Sequence, residues 1–557
     1  TYSGAIALDT SVSLLGGFNC GTWQRQAATY GYPSFSSDVT TLTSNAAVTL
    51  TIGSISTTVD GFTITNTGTG SLGATSIGLR IGGPGTSTIS NDHIVGGATV
   101  YTGADDAPAS AGLLLTQGAA PTFTADLVEG GSGTTNTNAG TGSVGVFADG
   151  TNGTVSISGS TIRGGTGAAN GLGSGTGSQG LIFTGSTTTT PIAYTVTGST
   201  VVGGSGKTIT CSGSCRATRG LYVPSGVVTL TLTDDAIDGG DEVNDAAGAT
   251  TGTLCPHGVE VTAQGSVTAT GNRIFGGICN IGSAAMNQAS LYGMFVGSGA
   301  ALTAENNMIH MGISYIPHGA AALGVAGSPA PQIRHNTLIA GTNTGTSLGA
   351  LWLQGSTSGA VVENNILASS GPGTAGTASG LLLSCPPDAG TVTIASFQNN
   401  LVFATPDGLM QWENCNGTAS YTTVDAMTTE LTTTQPGATV AGNLTLAATT
   451  TLCGSDSGCV AWTGCTSAAA CLDAVFLGFA DSSYGEANLF PGAIFAGTCP
   501  AATEPGSGNG WPIRATPPCK VAQSTRMDTG TVAKDLYGNC RGTSPTIGAA
   551  EYTGSCL

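Results

Sequence analysis

The sequence predicts an all-β fold: a right-handed parallel β-helix solenoid followed by a disulfide-rich C-terminal region. Three observations predict it. A double glycine returns after a short apolar strand, a second strand series runs out of phase with the first, and cysteines crowd toward the end of the chain.

The double glycines close segments such as "TISNDHIVGG", "SISGSTIRGG", "TVTGSTVVGG", "TLTDDAIDGG" and "TATGNRIFGG", and successive pairs lie 34 to 39 residues apart. Later copies, "TAENNMIHMG", "QIRHNTLIAG" and "VVENNILASS", lose one or both glycines. The second series reads "GLRI" at Gly78, "GLLL" at Gly112, "GVFA" at Gly145, "GLIF" at Gly180, "GLYV" at Gly220 and "GVEV" at Gly258. It continues as "GMFV" at Gly293, "LWLQ" at Leu351 and "GLLL" at Gly380. Side chains alternate in these strands, and no helical period separates them. One strand pair cannot bury its apolar face alone, whereas stacked units can, which is the physical case for a solenoid.

Element by element, residues 1–45 carry Trp23, Tyr30, Tyr32 and Phe35 and read as an N-terminal cap. Residues 46–403 read as the coils. Residues 404–557 read as a cysteine-rich cap or small domain that covers open strand edges. Within the coils a polar position recurs two residues before the last apolar residue of the turn. Asn272, Asn307, Asn336, Asn364 and Asn399 stand there, preceded in earlier coils by Asp92, Ser160, Ser199 and Asp235. Stacked amides at one turn hydrogen-bond from coil to coil, so these residues predict an internal ladder.

Composition excludes several function classes. The chain has 557 residues, 90 of them Gly, only 8% charged, and a net charge of -18. Such a balance offers no electrostatic footprint for nucleic acid. No run of eighteen apolar residues predicts a membrane span. The 15 cysteines, ten of them from Cys385 onward, lack paired zinc knuckles and read as disulfides made outside the reducing cytosol. Cys211 with Cys215, and Cys453, Cys459, Cys465 and Cys471, are the closest-spaced sets. The odd total leaves one thiol over, with the isolated Cys20 as its candidate. A secretory leader is expected to have preceded Thr1.

Particular segments resemble a known family. "SVSLLGGFNCGTWQRQ" (11–26), "TTVDGFTIT" (57–65) and "KDLYGNCRGTSPTIGAAEY" (534–552) are similar to segments of secreted right-handed parallel β-helix repeat proteins of the pectate-lyase-like superfamily. The bacterial surface and lipoprotein members are the nearest in kind. The resemblance implies an extracellular or outer-surface location, with a lipid anchor on a missing N-terminus as one mode of attachment. It leaves function open, because that fold hosts many chemistries.

The stretch "TLTDDAIDGGDEVND" (231–245) is the densest acidic segment of the coils. In β-helix polygalacturonases paired carboxylates act as acid and base beside a histidine and a basic residue. Asp234, Asp235, His257 and Arg273 are the faint counterparts here, although an upstream acidic partner is missing and Arg273 falls early. Calcium is the alternative. Asp238, Asp241, Glu242 and Asp245 supply hard oxygen donors beside a glycine-rich turn, and calcium is the one cofactor the residues suit. The simplest reading is a decorated turn. Ice binding would need regular outward Thr-x-Thr rows forming a flat face, but "LYV", "VFA" and "LIF" interrupt them along the chain and the coils vary in length.

The expected function is therefore a non-catalytic extracellular scaffold for adhesion or assembly. Its partners would be a cell-surface or matrix component, or further copies of itself in an oligomer or fibre. A polysaccharide-degrading hydrolase or lyase is the alternative.

Overall fold

The computed structural model describes residues 1–461 apart from 19–21, 23–24, 26–39, 73–75, 102–109, 136–139, 142, 172–174, 177, 212–217, 245–254, 282–289, 298, 315–318, 341–346, 370–376, 386–390, 404–407, 414–418 and 448–449. The chain divides into two units. The first holds Thr1–Gly265 with Gly276–Leu291, and the second Ser266–Phe275 with Tyr292–Leu557.

In the first unit each coil passes through the same sheets in the same order. Sheet A collects the strands of the double-glycine series: Phe62–Asn66, His93–Val95, Leu127–Glu129, Thr161–Arg163, Thr200–Val202 and Ala236–Asp238. Sheet B collects the second series, from Ser76–Gly82 through Ser110–Thr116, Val144–Ala148, Gln179–Phe183 and Arg219–Val223 to His257–Val261. Sheet C runs through Thr58–Asp60, Thr88–Ser90, Thr122–Thr124, Val155–Ser158, Ile192–Thr197 and Val227–Thr233. Neighbouring coils pair in parallel, so the architecture is the expected parallel β-helix. Similar pairing already joins Tyr2–Ser3 and Ile6–Leu8 to Thr40–Ser44 and Val48–Ile52.

The core follows from this register. On sheet A, Ile64, Ile94, Val128, Ile162, Val201 and Ile237 stand one above the other. All six are buried. A slip by one residue would turn the whole row to solvent, so the apolar period fixes the pairing. Branched side chains suit the pleated surface on which they stack.

A fourth sheet, D, was not anticipated. It carries Thr69–Leu72, Ala98–Tyr101, Ser132–Thr135, Thr166–Gly171, Ser205–Cys211, Asp241–Asn244 and Ile278–Ile281. The double glycines mark the corner between sheets A and D. There backbones approach so closely that a Cβ on Gly131, Gly165 or Gly204 would collide with the carbonyl oxygen of Gly97, Gly131 or Gly165 in the coil before. Only glycine fits that column.

The second unit repeats the order of B, C and A strands. Gly319–Ala326, Ser347–Gln354, Thr377–Ser384 and Met410–Glu413 stack in parallel, as do Met308–His310, Thr337–Ala340, Ile366–Ser369 and Leu401–Phe403. After the last of them Ala419–Tyr421 pairs antiparallel with Met410–Glu413. Helix α1, Val424–Thr434, follows. Thr423 caps it by accepting from the Ala426 N–H at 3.1 Å, and Asp456 accepts from the N–H groups of Val424 and Asp425. Val424, Met427 and Leu431, spaced on one face, are its buried side. Cys453–Cys459 is a disulfide of this region, and Cys385 is also disulfide-bonded. The Cys211 side chain, Cys20, Cys215, Cys465 and Cys471 lie outside the described residues. Cys255–Cys279, in the first unit, is a disulfide the spacing did not suggest.

Candidate functional site

The route from sheet C to sheet A is a corner of two residues in every coil of the first unit from Asn91 onward, and each residue has a fixed task. The first adopts left-handed backbone: Asn91, Ala125, Gly159, Gly198 and Asp234 have φ of 54, 57, 55, 57 and 56°. Asparagine, aspartate and glycine tolerate that conformation best. The second residue, Asp92, Asp126, Ser160, Ser199 or Asp235, turns inward and is buried.

The inward residues bind the coils together. Asp235 accepts from the N–H groups of Ser199 at 2.8 Å and Thr233 at 3.1 Å. Asp126 accepts from those of Asp92 at 2.9 Å and Thr124 at 3.1 Å, and Asp92 from that of Phe62 at 2.7 Å. Ser199 accepts from Ser160, and Ser160 from Asp126. Asp234 and Asp235 are therefore neighbours in sequence with opposite surroundings, one exposed at the corner and one buried in the ladder.

Burial raises the pKa of these carboxyls. Asp92 and Asp235 stand well above the usual carboxylate range, and Asp126 is pushed up to about 8, burial outweighing the backbone N–H groups that favour the charged form. A folded pKa above an unfolded value of about 3.9 means that the folded state binds more protons. The contribution of Asp126 is then fully present below about pH 4 and is lost as pH rises through about 8. Thermal unfolding of Asp126→Asn and the parent should diverge with rising pH across that window, the variant gaining. Parallel pH profiles would contradict the assignment.

In the second unit the ladder is made of amides. Asn272, Asn307, Asn336, Asn365, Asn400 and Asn443 form one chain, each Oδ1 after the first accepting from the backbone N–H and the Nδ2 of the residue before it. The reading of Asn364 and Asn399 as ladder members is corrected by one position. Both occupy the left-handed corner, with φ of 58 and 53°, and their successors Asn365 and Asn400 turn inward. His335 takes the same corner place, at φ 53°.

The proposed calcium donors do not share one loop. Asp238 ends strand Ala236–Asp238, and Asp241 opens strand Asp241–Asn244. The Asp238 Oδ1 accepts from the Gly240 N–H at 2.8 Å. The Glu242 side chain and Asp245 lie outside the described residues. Among the described residues no three His, Cys, Asp or Glu side chains gather as a metal site.

His257 does meet a carboxylate, though not the one its motif implied. On sheet B, Arg219 pairs with His257 and Tyr222 with Glu260. Glu260 lies between two basic side chains: the Arg219 guanidinium donates through Nε, and His257 Nδ1 comes within 3.0 Å. His257 Nε2 is 3.1 Å from the Ser290 carbonyl, and the guanidinium lies 4.6 Å from the centre of the Tyr222 ring. Burial opposes ionisation of Glu260, but Arg219 and His257 outweigh it and hold its pKa far below the usual range. All four side chains are buried. The cluster sits on sheet B and neutralises its own charge, as a structural ion pair must. Arg273 lies buried in strand Arg273–Phe275, paired with Met308.

Sheet C presents the most regular outward feature. Thr58, Thr88, Thr122, Ser156, Thr195 and Thr231 form one row in register. Asp60, Ser90, Thr124, Ser158, Thr197 and Thr233 form a second. Between them Val59, Ile89, Phe123, Ile157, Val196 and Leu232 point into the core. Rows and coils are spaced by about 6.6 and about 4.8 Å, as pleat and strand pairing dictate. The "LYV", "VFA" and "LIF" segments that interrupt the pattern along the chain belong to sheet B and leave this face unbroken.

Comparison with family models, curated proteins and solved structures found no match.

Proposed function

We propose that the chain is a non-catalytic extracellular surface scaffold for adhesion or assembly. The hydroxyl lattice of sheet C carries the reading. Eleven of its twelve positions bear Ser or Thr, and Asp60 alone is ionisable. A regularly spaced, almost uncharged face suits a repetitive surface, either a matrix or another copy of the chain. The acidic residues that chemistry would need are otherwise occupied: Asp235 holds the ladder and Glu260 is closed between Arg219 and His257. The resemblance to secreted bacterial β-helix proteins supports a setting outside the cell, as do the disulfides Cys255–Cys279 and Cys453–Cys459.

Co-sedimentation with intact bacterial cells and insoluble extracellular matrix tests the reading, with light scattering to detect self-assembly. The parent should be retained or should assemble. Thr122→Lys/Thr195→Lys should lose that behaviour with its unfolding transition unchanged within about 0.5 kcal/mol, as for surface substitutions. Equal retention of the variant would remove the lattice from the account. New reducing ends or unsaturated products from a polysaccharide, abolished by Asp235→Asn, would replace the scaffold with an enzyme.

A further inference from the structure

The stretches that would break a regular hydroxyl face lie elsewhere in the first unit. The interrupting apolar segments belong to sheet B, and coil length varies between sheets D and B. On sheet C the five pairings from Thr58–Asp60 to Val227–Thr233 run in parallel without a bulge or a register shift. Five coil spacings of about 4.8 Å make the two rows about 24 Å long. Among the described residues the hydroxyls of Thr58, Thr88, Thr122, Ser156, Thr195 and Thr231 bond to no other protein group, and none of the six is buried. Each keeps its capacity to donate and to accept toward water. Composition does not account for the rows. Of the twelve positions flanking the inward row of sheet A, only Thr63, Thr65, Thr161 and Thr200 bear a hydroxyl. On sheet C of the second unit one row carries Glu305, Arg334 and Glu363 instead. Asp60, the one ionisable member, stands in the first coil of the lattice and is paired with Arg25 at 2.6 Å.

We propose that the hydroxyl rows of sheet C bind ice. Every point of an ice surface is a water oxygen that both donates and accepts, and a hydroxyl does the same. The spacings of about 4.8 Å between coils and about 6.6 Å between rows lie near the repeats of water oxygens on a prism face of hexagonal ice. Waters held on the rows can therefore join that lattice. A charged group would hold a hydration shell that has no place in ice, which accounts for a face almost without carboxylates in a chain of net charge -18. Other repetitive partners fit less well. A polysaccharide sheet would call for aromatic faces against its C–H surfaces, and neither row carries one. A mineral or membrane surface of fixed charge would call for charges. A second copy laid face to face would desolvate hydroxyls with no apolar burial in return. The inference deepens the adhesion reading by naming the surface that the lattice meets, and rests on that reading for the lattice as the contact face.

The test is ice-affinity partitioning of the full chain: protein taken into slowly growing ice is measured against protein left in the liquid, with serum albumin as the excluded control. The parent should be enriched in the ice and should slow the recrystallisation of ice grains. Thr122→Lys/Thr195→Lys should lower the enrichment about tenfold or more, because an ammonium group gives up its water only at a cost. Thr161→Lys/Thr200→Lys adds the same charge on sheet A, away from the rows, and should leave the enrichment unchanged. Should the first pair fail to fold, the single variant Thr88→Lys, at an exposed position, still decides. Exclusion of the parent like albumin, equal loss in both lysine pairs, or loss in neither would overturn the proposal. A chain that sediments with cells or matrix yet is excluded from ice sinks the ice reading and keeps the scaffold. One that enters ice through the rows but neither sediments nor assembles does the reverse.

Discussion

Gly165→Ala should destabilise the first unit by about 3 kcal/mol or more, as overpacking against an immovable backbone does. The new methyl would land on the Gly131 carbonyl oxygen, with the Ser143 hydroxyl and the Gly130 carbonyl closing the sides. Retreat is blocked, because Gly131 stands against Gly97 and Gly204 stands against Gly165 in the same manner. A shift that relieved one coil would strain the next. Urea denaturation followed by circular dichroism measures the loss. Gly159→Asn is the matched control: its φ is 55°, nothing lies within 4 Å of its added Cβ, and asparagine already fills the equivalent corner at Asn91. It should stay within about 0.5 kcal/mol of the parent. Similar stabilities for the two variants would mean that the glycine column is not what holds the corner.

Asn336→Ala should cost about 3–5 kcal/mol, the effect expected when a buried polar network loses a central member. Its Oδ1 takes the N–H and the amide of Asn307, both at 2.9 Å. Its Nδ2 donates to the carbonyls of Ala304 and Arg334 and to the Asn365 Oδ1. Alanine leaves two donors and two carbonyls in a dry interior, where each unmade bond is expensive. Asn364→Gly, one position before the ladder and at positive φ, should cost far less, since glycine also accepts the corner conformation. The contrast separates ladder from corner. If Asn364→Gly proved the more damaging, the assignment of the two positions would be reversed.

These adjacent asparagines also show where sequence reasoning stopped. The coil period was legible because apolar rows must stack. The polar position was legible too, but in Asn364–Asn365 and Asn399–Asn400 two physical demands select the same residue type. Left-handed backbone and coil-to-coil hydrogen bonding both favour asparagine, so the register blurred there. Sheet D was invisible because Gly, Ser and Thr strands carry no apolar alternation. The hydroxyl lattice was hidden because residues one coil apart in space lie some thirty positions apart in sequence, with sheet B strands between. Asp234–Asp235 looked like a catalytic pair because adjacency in a list says nothing of which way a corner turns. Arg219 shows no partner in the sequence, and only pairing with the coil of His257 gives it Glu260.

From Asn91 onward the corner between sheets C and A spends two residues in every coil of the first unit, whereas the stretch between sheets D and B varies in length. Three residues separate Leu72 from Ser76, and twelve separate Asn244 from His257. Length variation in this protein is thus quantised along one edge and continuous along another. Duplication or loss of a whole repeat brings corner onto corner and leaves ladder and lattice in phase. A partial insertion survives where sheet D hands over to sheet B. A lineage can then extend the stack of coils in whole steps and diversify one flank freely, while the opposite flank stays a ruler of constant pitch.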